Sequence, residues 1–112
     1  MIHNMKLNEK PFNNIKNGLK RVELRLYDEK RKLIDLNDTI IFRKTTDLSQ
    51  TVEVKVKGLL RYNNFEDLFK DIDYNITGPA KNLNEKLDNI HKIYPVEKEN
   101  KYGILAIHVE LV

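Results

Sequence analysis

The stretch Asn17-Gly18-Leu19-Lys20-Arg21-Val22-Glu23-Leu24-Arg25-Leu26-Tyr27 decides how this chain is organised. It predicts a helix that ends at Gly18 and a strand that begins at Arg21. Apolar and polar side chains alternate along that strand: Val22, Leu24 and Leu26 against Arg21, Glu23, Arg25 and Tyr27. A period of two predicts one buried face and one solvated face. We interpret the solvated face as the floor of a polar site, because it carries a carboxylate between two guanidinium groups.

The length and composition of the chain indicate one domain, residues 1–112. Apolar residues make up 40% and charged residues 33%, which is typical of a globular protein with a heavily solvated surface. There is no run of about eighteen apolar residues, which a membrane span needs, and no signal-peptide pattern. Cysteine is absent, which excludes disulfides and thiolate metal sites. We therefore expect a cytoplasmic protein without a membrane segment.

Positive charge is concentrated in the first half of the chain. Residues 1–62 contain 14 Lys and Arg against 8 Asp and Glu, a net charge of +6, whereas residues 63–112 contain 6 against 9, a net charge of −3. This asymmetry indicates that one side of the domain could face a polyanion. The alternative is that the charges only keep a small domain soluble.

Four strands and one helix are predicted in the first half. Mixed, alternating or β-branched segments indicate strands at residues 1–7, 21–27, 39–43 and 51–62. A short helix is predicted over residues 9–17, with Asn8 as its N-cap and Gly18 as the left-handed residue that closes it. The polar residues 45–50 predict a hairpin loop. Gly58 predicts a bulge within the last of these strands.

The second half predicts two helices and a final strand. One apolar stripe at helical spacing follows the cap Asn64 and consists of Phe65, Leu68, Phe69 and Ile72. A second stripe ends at Pro95 and consists of Leu83, Leu87, Ile90 and Tyr94. Residues 97–101 are interpreted as a charged loop, and residues 104–112 as an apolar strand.

This order of elements predicts an α+β fold. Most connections between strands are too short for parallel crossovers, so the sheet should be mixed and mostly antiparallel. The bulge and the amphipathic helices favour a small curled β-barrel flanked by two or three short helices. The alternating apolar residues should be buried in its core: Val22, Leu24, Leu26, Val52, Val54 and Val56.

Two segments carry a resemblance to a known family. The spacing Gly18-x-Lys20-x-x-Glu23-x-Arg25, followed by a turn with Asp38 and a strand, resembles the signature of the ASCH family. The segment Tyr102-Gly103-Ile104-Leu105-Ala106-Ile107 is similar to the last strand of that family. The resemblance implies a PUA-like β-barrel, related to RNA-binding barrels. It also implies a cleft beside the barrel, lined by this motif and facing a nucleic acid or nucleotide.

One branch of that family hydrolyses the acetyl amide of acetylcytidine with a lysine, a threonine and a glutamate. Lys20 matches that lysine, and Arg25 matches a conserved arginine of the branch. Glu23 occupies the position of the threonine. The downstream glutamate has three candidates here, Glu85, Glu97 and Glu99.

Two functions therefore stay open at this point. The first is a module that binds RNA or a nucleotide, with Lys20 and Arg25 on phosphate and with Tyr27 or Glu23 on a base. Its candidate contacts are Lys20, Arg21, Glu23, Arg25, Tyr27, Arg43 and Lys44. The alternative is a small amidohydrolase that acts on a modified nucleoside, with Lys20 and Glu23 as the catalytic pair. The missing threonine favours binding.

The same residues also admit a purely structural interpretation. Glu23 could form a salt-bridge ladder on an exposed strand face, or a partly buried pair with Arg25 under a helix. Lys20 could be an ordinary cation near the C-terminus of a helix. We expect no cofactor and no metal, because the three histidines are too scattered for a metal motif, and we expect a monomer.

Overall fold

The computed structural model describes residues 1–112 and has five strands and four α-helices. The strands are β1 (Ile2–Leu7), β2 (Val22–Leu26), β3 (Thr39–Lys44), β4 (Asp47–Tyr62) and β5 (Ile104–Leu111). The helices are α1 (Glu9–Lys16), α2 (Phe65–Asp71), α3 (Leu83–Ile93) and α4 (Val96–Tyr102). Two short 3₁₀ helices, Arg31–Leu33 and Tyr74–Thr77, complete the elements.

The five strands form one curled sheet in the order β1-β3-β4-β5-β2. Only β1 and β3 pair in parallel, and the other three pairings are antiparallel. The two edge strands, β1 and β2, do not pair, yet the Arg25 guanidinium donates a hydrogen bond to the Lys6 carbonyl across the gap at 3.0 Å. The sheet is therefore curled into a half-barrel with one open side. The α+β class and the mixed, mostly antiparallel sheet are confirmed, but there are four helices, more than the two or three expected.

Two apolar clusters lie on opposite faces of the sheet. The first packs α1 against β1, β3 and β4, with Phe12, Ile15 and Phe42 at its centre. The second packs α2 and α3 against β2 and β5. The predicted core residues are all buried: Val22, Leu24 and Leu26 in the second cluster, and Val52, Val54 and Val56 in the first. Both faces of the sheet are consequently covered around β2 and β5.

The bulge predicted at Gly58 is present in β4. The pairing of β4 with β5 shifts register between Val56 and Gly58. A Cβ at Gly58 would lie 3.2 Å from the side chain of His108, so a larger residue would have to displace that ring. The glycine thus permits the bend through which β4 pairs with β3 at one end and with β5 at the other.

Two loop predictions are wrong. The hairpin between β3 and β4 occupies only residues 45–46, because β4 begins at Asp47, which pairs with Lys44. The register shifts there, and the regular pairing resumes where Thr51 meets Arg43. Residues 97–101 lie within α4. This helix lacks an apolar stripe and is favoured by Glu97 and Glu99 in its first turn, where carboxylates interact well with the helix dipole. None of the helices is long and apolar enough to cross a membrane.

The packing of the first cluster generates a stability prediction. Phe42 is fully buried on β3. Phe42→Ala should lower the free energy of unfolding by about 3–5 kcal/mol, because it leaves a cavity between the sheet and α1. Leu60→Ala on the exposed part of β4 should change it by less than about 1 kcal/mol. Urea unfolding followed by circular dichroism measures both, and equal losses would contradict this description of the core.

Candidate functional site

The face of β2 that was expected to be solvated carries a buried carboxylate. Glu23 is only 3% exposed, and Arg25 is half-buried. The expectation of a wet face is therefore wrong, because the sheet is covered on both sides at this strand. Arg21, the second predicted partner of Glu23, is exposed and forms no ion pair with it. Lys20 takes that place.

Four donors surround the Glu23 carboxylate. Its Oε1 atom lies 3.0 Å from Lys20 Nζ and accepts a hydrogen bond from the Leu24 amide at 3.1 Å. Its Oε2 atom accepts from Arg25 Nε at 3.0 Å and lies 2.9 Å from Arg25 NH2. Each carboxylate oxygen thus has two donors, and all of these donors belong to residues within three positions of Glu23. The geometry is that of a charge-assisted network in which two cations share one carboxylate.

The charges of this network oppose the effect of burial on the pKa values of Glu23 and Arg25. Burial alone would raise the pKa of Glu23, but the charges and hydrogen bonds of Lys20 and Arg25 outweigh it and hold the pKa below its ordinary value. Burial would lower the pKa of Arg25, but the Glu23 carboxylate raises it above its ordinary value. Glu23 and Arg25 are consequently both charged at neutral pH.

The end of α1 places Lys20 in this network. Gly18 has a φ of +77°, the left-handed conformation that closes a helix, as predicted. The amides of Leu19 and Lys20 then both donate to the Asn14 carbonyl, at 2.9 and 3.0 Å. These bonds hold the chain close to the last turn of α1 before β2 begins. The Lys20 side chain is buried as a result.

A cleft of about 360 Å³ opens above the network, at the open side of the half-barrel. One wall is formed by β1 and α1, and the other by the segment around Gly78 and by α3. Its charged lining consists of five cations and two carboxylates: Lys6, Lys10, Lys20, Arg25 and Lys86, with Glu23 and Glu85. The lining therefore carries an excess of positive charge.

Lys86, on α3, is the cation that sequence reasoning missed. Its Nζ atom donates to the carbonyls of Gly78 at 2.8 Å and Thr77 at 3.2 Å, and no carboxylate pairs with it. Burial, with the nearby charges of Lys20 and Lys10, lowers the pKa of Lys86 to about 8, although the Glu23 charge partly opposes this shift. No local pattern marked this lysine, because its place depends on how α3 packs against the Gly78 segment.

Gly78 is required where it approaches Lys86. Its φ of +125° is rarely adopted by other residues, and a Cβ at this position would lie 3.1 Å from Lys86 Nζ. The glycine therefore lets the backbone carbonyls reach the ammonium group.

Neutral polar groups complete the cleft. The amide side chains of Asn14 and Asn89 line its walls, with Ile93 and Tyr94 beside them. The Tyr94 hydroxyl lies 3.5 Å from the Leu24 carbonyl, to which it donates a long hydrogen bond, and burial raises the pKa of this tyrosine. The cleft thus offers cations, amides and one aromatic ring. No group of three or more His, Asp or Glu is placed to hold a metal ion.

The structure brings together some of the predicted site residues and separates others. Lys20, Glu23 and Arg25 converge in the cleft, whereas Arg21, Tyr27, Arg43 and Lys44 do not line it. Arg43 donates to the Leu48 carbonyl at 3.4 Å, and Lys44 lies 3.5 Å from a Glu9 oxygen. The roles assigned to these residues stay predictions.

The structure also separates the three candidate glutamates, because one of them lines the cleft and the other two do not. Glu85 lines the cleft, and its side chain makes no hydrogen bond within the chain. Glu99 is buried and lies 2.9 Å from His91 Nε2, outside the cleft. Glu97 lies on the exposed side of α4. Glu85 is therefore the one downstream glutamate that a ligand in this cleft could contact.

The buried carboxylate generates a prediction about stability and pH. Glu23→Gln should lower the free energy of unfolding at pH 7 by about 3–5 kcal/mol, because it leaves two cations without their counter-charge. The folded pKa of Glu23 lies below its unfolded value, so its contribution is present above the unfolded pKa and is lost as the pH falls through the folded pKa. The difference between parent and variant should therefore shrink in acid.

Glu29→Gln is the matched control for that experiment. Glu29 pairs with Lys32 on the surface, where ion pairs add little to stability. Urea unfolding of the parent and both variants across the acidic range provides the comparison. A Glu23→Gln variant as stable as Glu29→Gln at pH 7 would show that the buried network is not a major determinant of folding.

Comparisons with known proteins agree with this architecture. A family model described as the ASCH domain matches residues 5–112. The crystal structure of hypothetical protein PH0355 is 35% identical with a TM-score of 0.89, and the alignment covers 100% of both chains. The solution structure of protein PF0455 from Pyrococcus furiosus is 32% identical with a TM-score of 0.77, over 100% of this chain and 98% of that one.

A more distant structure shares the fold. The crystal structure of ASCH from Zymomonas mobilis is 12% identical with a TM-score of 0.71, over 97% of this chain and 66% of that one. A comparison with curated proteins gave no significant match. The family model and the full-length structural matches lead to one conclusion: this chain belongs to the ASCH domain family and has its PUA-like α+β fold.

Proposed function

We propose that this protein binds RNA or a nucleotide in the cleft above Glu23. The observation that carries the proposal is the uncompensated positive charge of the lining. Glu23 neutralises part of the charge of Lys20 and Arg25, but Lys6, Lys10 and Lys86 pair with no carboxylate. A cluster of cations without matching carboxylates favours an anionic ligand, and phosphate is the anion that lysine and arginine commonly bind.

The neutral groups of the cleft support a nucleotide as that ligand. In this proposal, Lys10 and Lys86 contact the phosphate, while Asn14 and Asn89 hydrogen-bond a base edge. The carboxylate that accepts from an exocyclic amino group is Glu85, since both Glu23 oxygens are already occupied. Arg25 contributes through its NH1 atom, which makes no hydrogen bond within the chain.

An amidohydrolase function has less support from the geometry. The proposed catalytic pair would be Lys20 and Glu23, but these two side chains bind each other at 3.0 Å. The Glu23 carboxylate also accepts from Leu24 and Arg25, so no oxygen is free to take a proton from water. The pair is arranged as a fixed part of the floor, and binding is the function we favour.

The first prediction from this proposal concerns Lys86. Lys86→Gln should weaken binding of a fluorescently labelled single-stranded RNA about tenfold at low salt, because one charge-assisted phosphate contact is lost. It should also reduce the dependence of affinity on salt. Fluorescence anisotropy at several salt concentrations measures both effects.

Lys92→Gln provides the matched control, since Lys92 is exposed on the same helix and lies outside the cleft. It removes the same charge and should leave affinity nearly unchanged. Thermal melts of both variants separate a binding defect from unfolding. Equal affinities of the two variants would count against the cleft as the binding site, and no affinity of the parent at low salt would overturn the proposal.

The second prediction concerns pH. The pKa of Lys86 is about 8 in the free protein, and a phosphate beside it would raise this pKa. Binding then requires the protonated lysine, so affinity should be constant below about pH 7 and fall as the pH rises above about 8. An oligocytidylate is a suitable probe, because its bases do not titrate in this range.

The Lys86→Gln variant should lose most of that decrease in affinity, because it has no titrating group at this position. Anisotropy titrations of both proteins at matched ionic strength test this. The same loss of affinity in both would assign the pH dependence to other groups.

A further inference from the structure

A second cleft of about 500 Å³ lies where β2 and β4 end, beside the C-terminus of α4. Its lining combines aromatic, amide and cationic side chains, chiefly Tyr27, Arg61, Asn63, Asn100, Lys101 and Tyr102. No acidic residue lines it. This combination matches the chemistry of a nucleotide, which has a base to stack, polar edges to hydrogen-bond and an anionic phosphate.

Four polar side chains of this second cleft have neither an acidic partner nor a hydrogen-bond partner within the chain. Arg61 and Lys101 form no ion pair, and the side-chain amides of Asn63 and Asn100 make no hydrogen bond within the chain. All four residues are exposed. Two cations without a carboxylate partner and two amides without a hydrogen-bond partner therefore face one concave surface.

The cations of the second cleft lie on aromatic rings. The Arg61 guanidinium stacks 4.0 Å from the centroid of the Tyr27 ring, and Lys101 Nζ lies 5.2 Å from the centroid of the Tyr102 ring. Lys32 approaches the Tyr27 ring at 5.6 Å. A planar guanidinium held in this way is a surface on which a nucleobase can stack.

Backbone contacts connect the three segments that carry these side chains. The Tyr27 amide donates to the Gly103 carbonyl at 2.9 Å, which ties the end of β2 to the end of α4. Gly103 has a φ of +71°, and a Cβ there would lie 3.1 Å from the Tyr62 carbonyl oxygen. The three segments that supply the lining are thus held in one arrangement.

We propose that this second cleft binds one nucleotide of a single-stranded RNA whose neighbouring part occupies the cleft above Glu23. Arg25 lies on β2 and lines the first cleft, whereas Tyr27 follows the end of β2 and lines the second. Two residues of extended backbone span about 7 Å, a distance that a short oligonucleotide can bridge. The proposal rests on the function proposed above and deepens it: the ligand is an oligonucleotide rather than a mononucleotide. Arg61 supplies the stacking surface, the two amides contact the base, and Lys101 contacts a phosphate.

The test uses oligocytidylates from a mononucleotide to an octanucleotide and two charge-matched variants on α4. Lys101→Gln removes a cation that lines the second cleft, whereas Lys98→Gln removes an exposed cation of the same helix that does not. In the parent and in Lys98→Gln, affinity should rise with length. In Lys101→Gln, the longer oligonucleotides should bind about tenfold more weakly. In parallel, the side-chain amide NMR signals of Asn63 and Asn100 should shift when the octanucleotide is added.

The outcomes separate this inference from the function on which it rests. Equal affinities of Lys101→Gln and Lys98→Gln at every length, with unmoved asparagine signals, would overturn the second cleft. If Lys86→Gln still weakens binding in that case, the first cleft stands alone. A loss in Lys101→Gln but none in Lys86→Gln would remove the first cleft, and with it the proposed strand across both clefts, and would leave the second cleft as a separate site. No binding by the parent at any length would overturn both.

Discussion

The buried carboxylate of Glu23 is the constraint on which the rest of this site depends. A carboxylate removed from water must be paired and hydrogen-bonded, and here both cations come from within three residues of it. Arg25 satisfies Glu23 and also reaches the Lys6 carbonyl on β1. One ion network therefore links two edge strands that share no backbone pairing. Because the link is a side chain, the barrel stays open at this point, and the opening is the cleft.

The cations of the cleft fall into two sets, one that forms its floor and one that a ligand would meet first. Lys20 and Arg25, which belong to the motif predicted from the sequence, are held by Glu23 and form the floor. The charge that a ligand would meet first comes from residues outside the motif, such as Lys10 on α1 and Lys86 on α3. The motif thus explains the shape of the cleft better than its charge. Much of the positive potential depends on how the helices pack.

Local patterns predicted the fold better than the environment of the site. The alternation of Val22 and Leu24 and the glycine at 18 identified β2 and the end of α1, because these signals act over a few residues. A period of two distinguishes the apolar face of β2 from its polar face. It does not show whether other elements also cover the polar face. The place of Lys86 follows from a contact with Gly78 that no local pattern encodes. The helix α4 was not predicted because its sequence lacks an apolar stripe at helical spacing.

The depth of the charged groups implies an orientation for the proposed ligand. Lys10 is exposed, Lys86 is half-buried, and Glu23 is buried at the floor. Positive charge is unpaired towards the mouth and partly neutralised by Glu23 at the floor. A ligand that is anionic at one end and neutral at the other gains most with its anionic end outward, because that end then meets unpaired lysines and avoids the desolvation cost of burial at the floor. A nucleotide that enters base first meets this condition, and its phosphate then remains at the mouth, where a longer strand can continue.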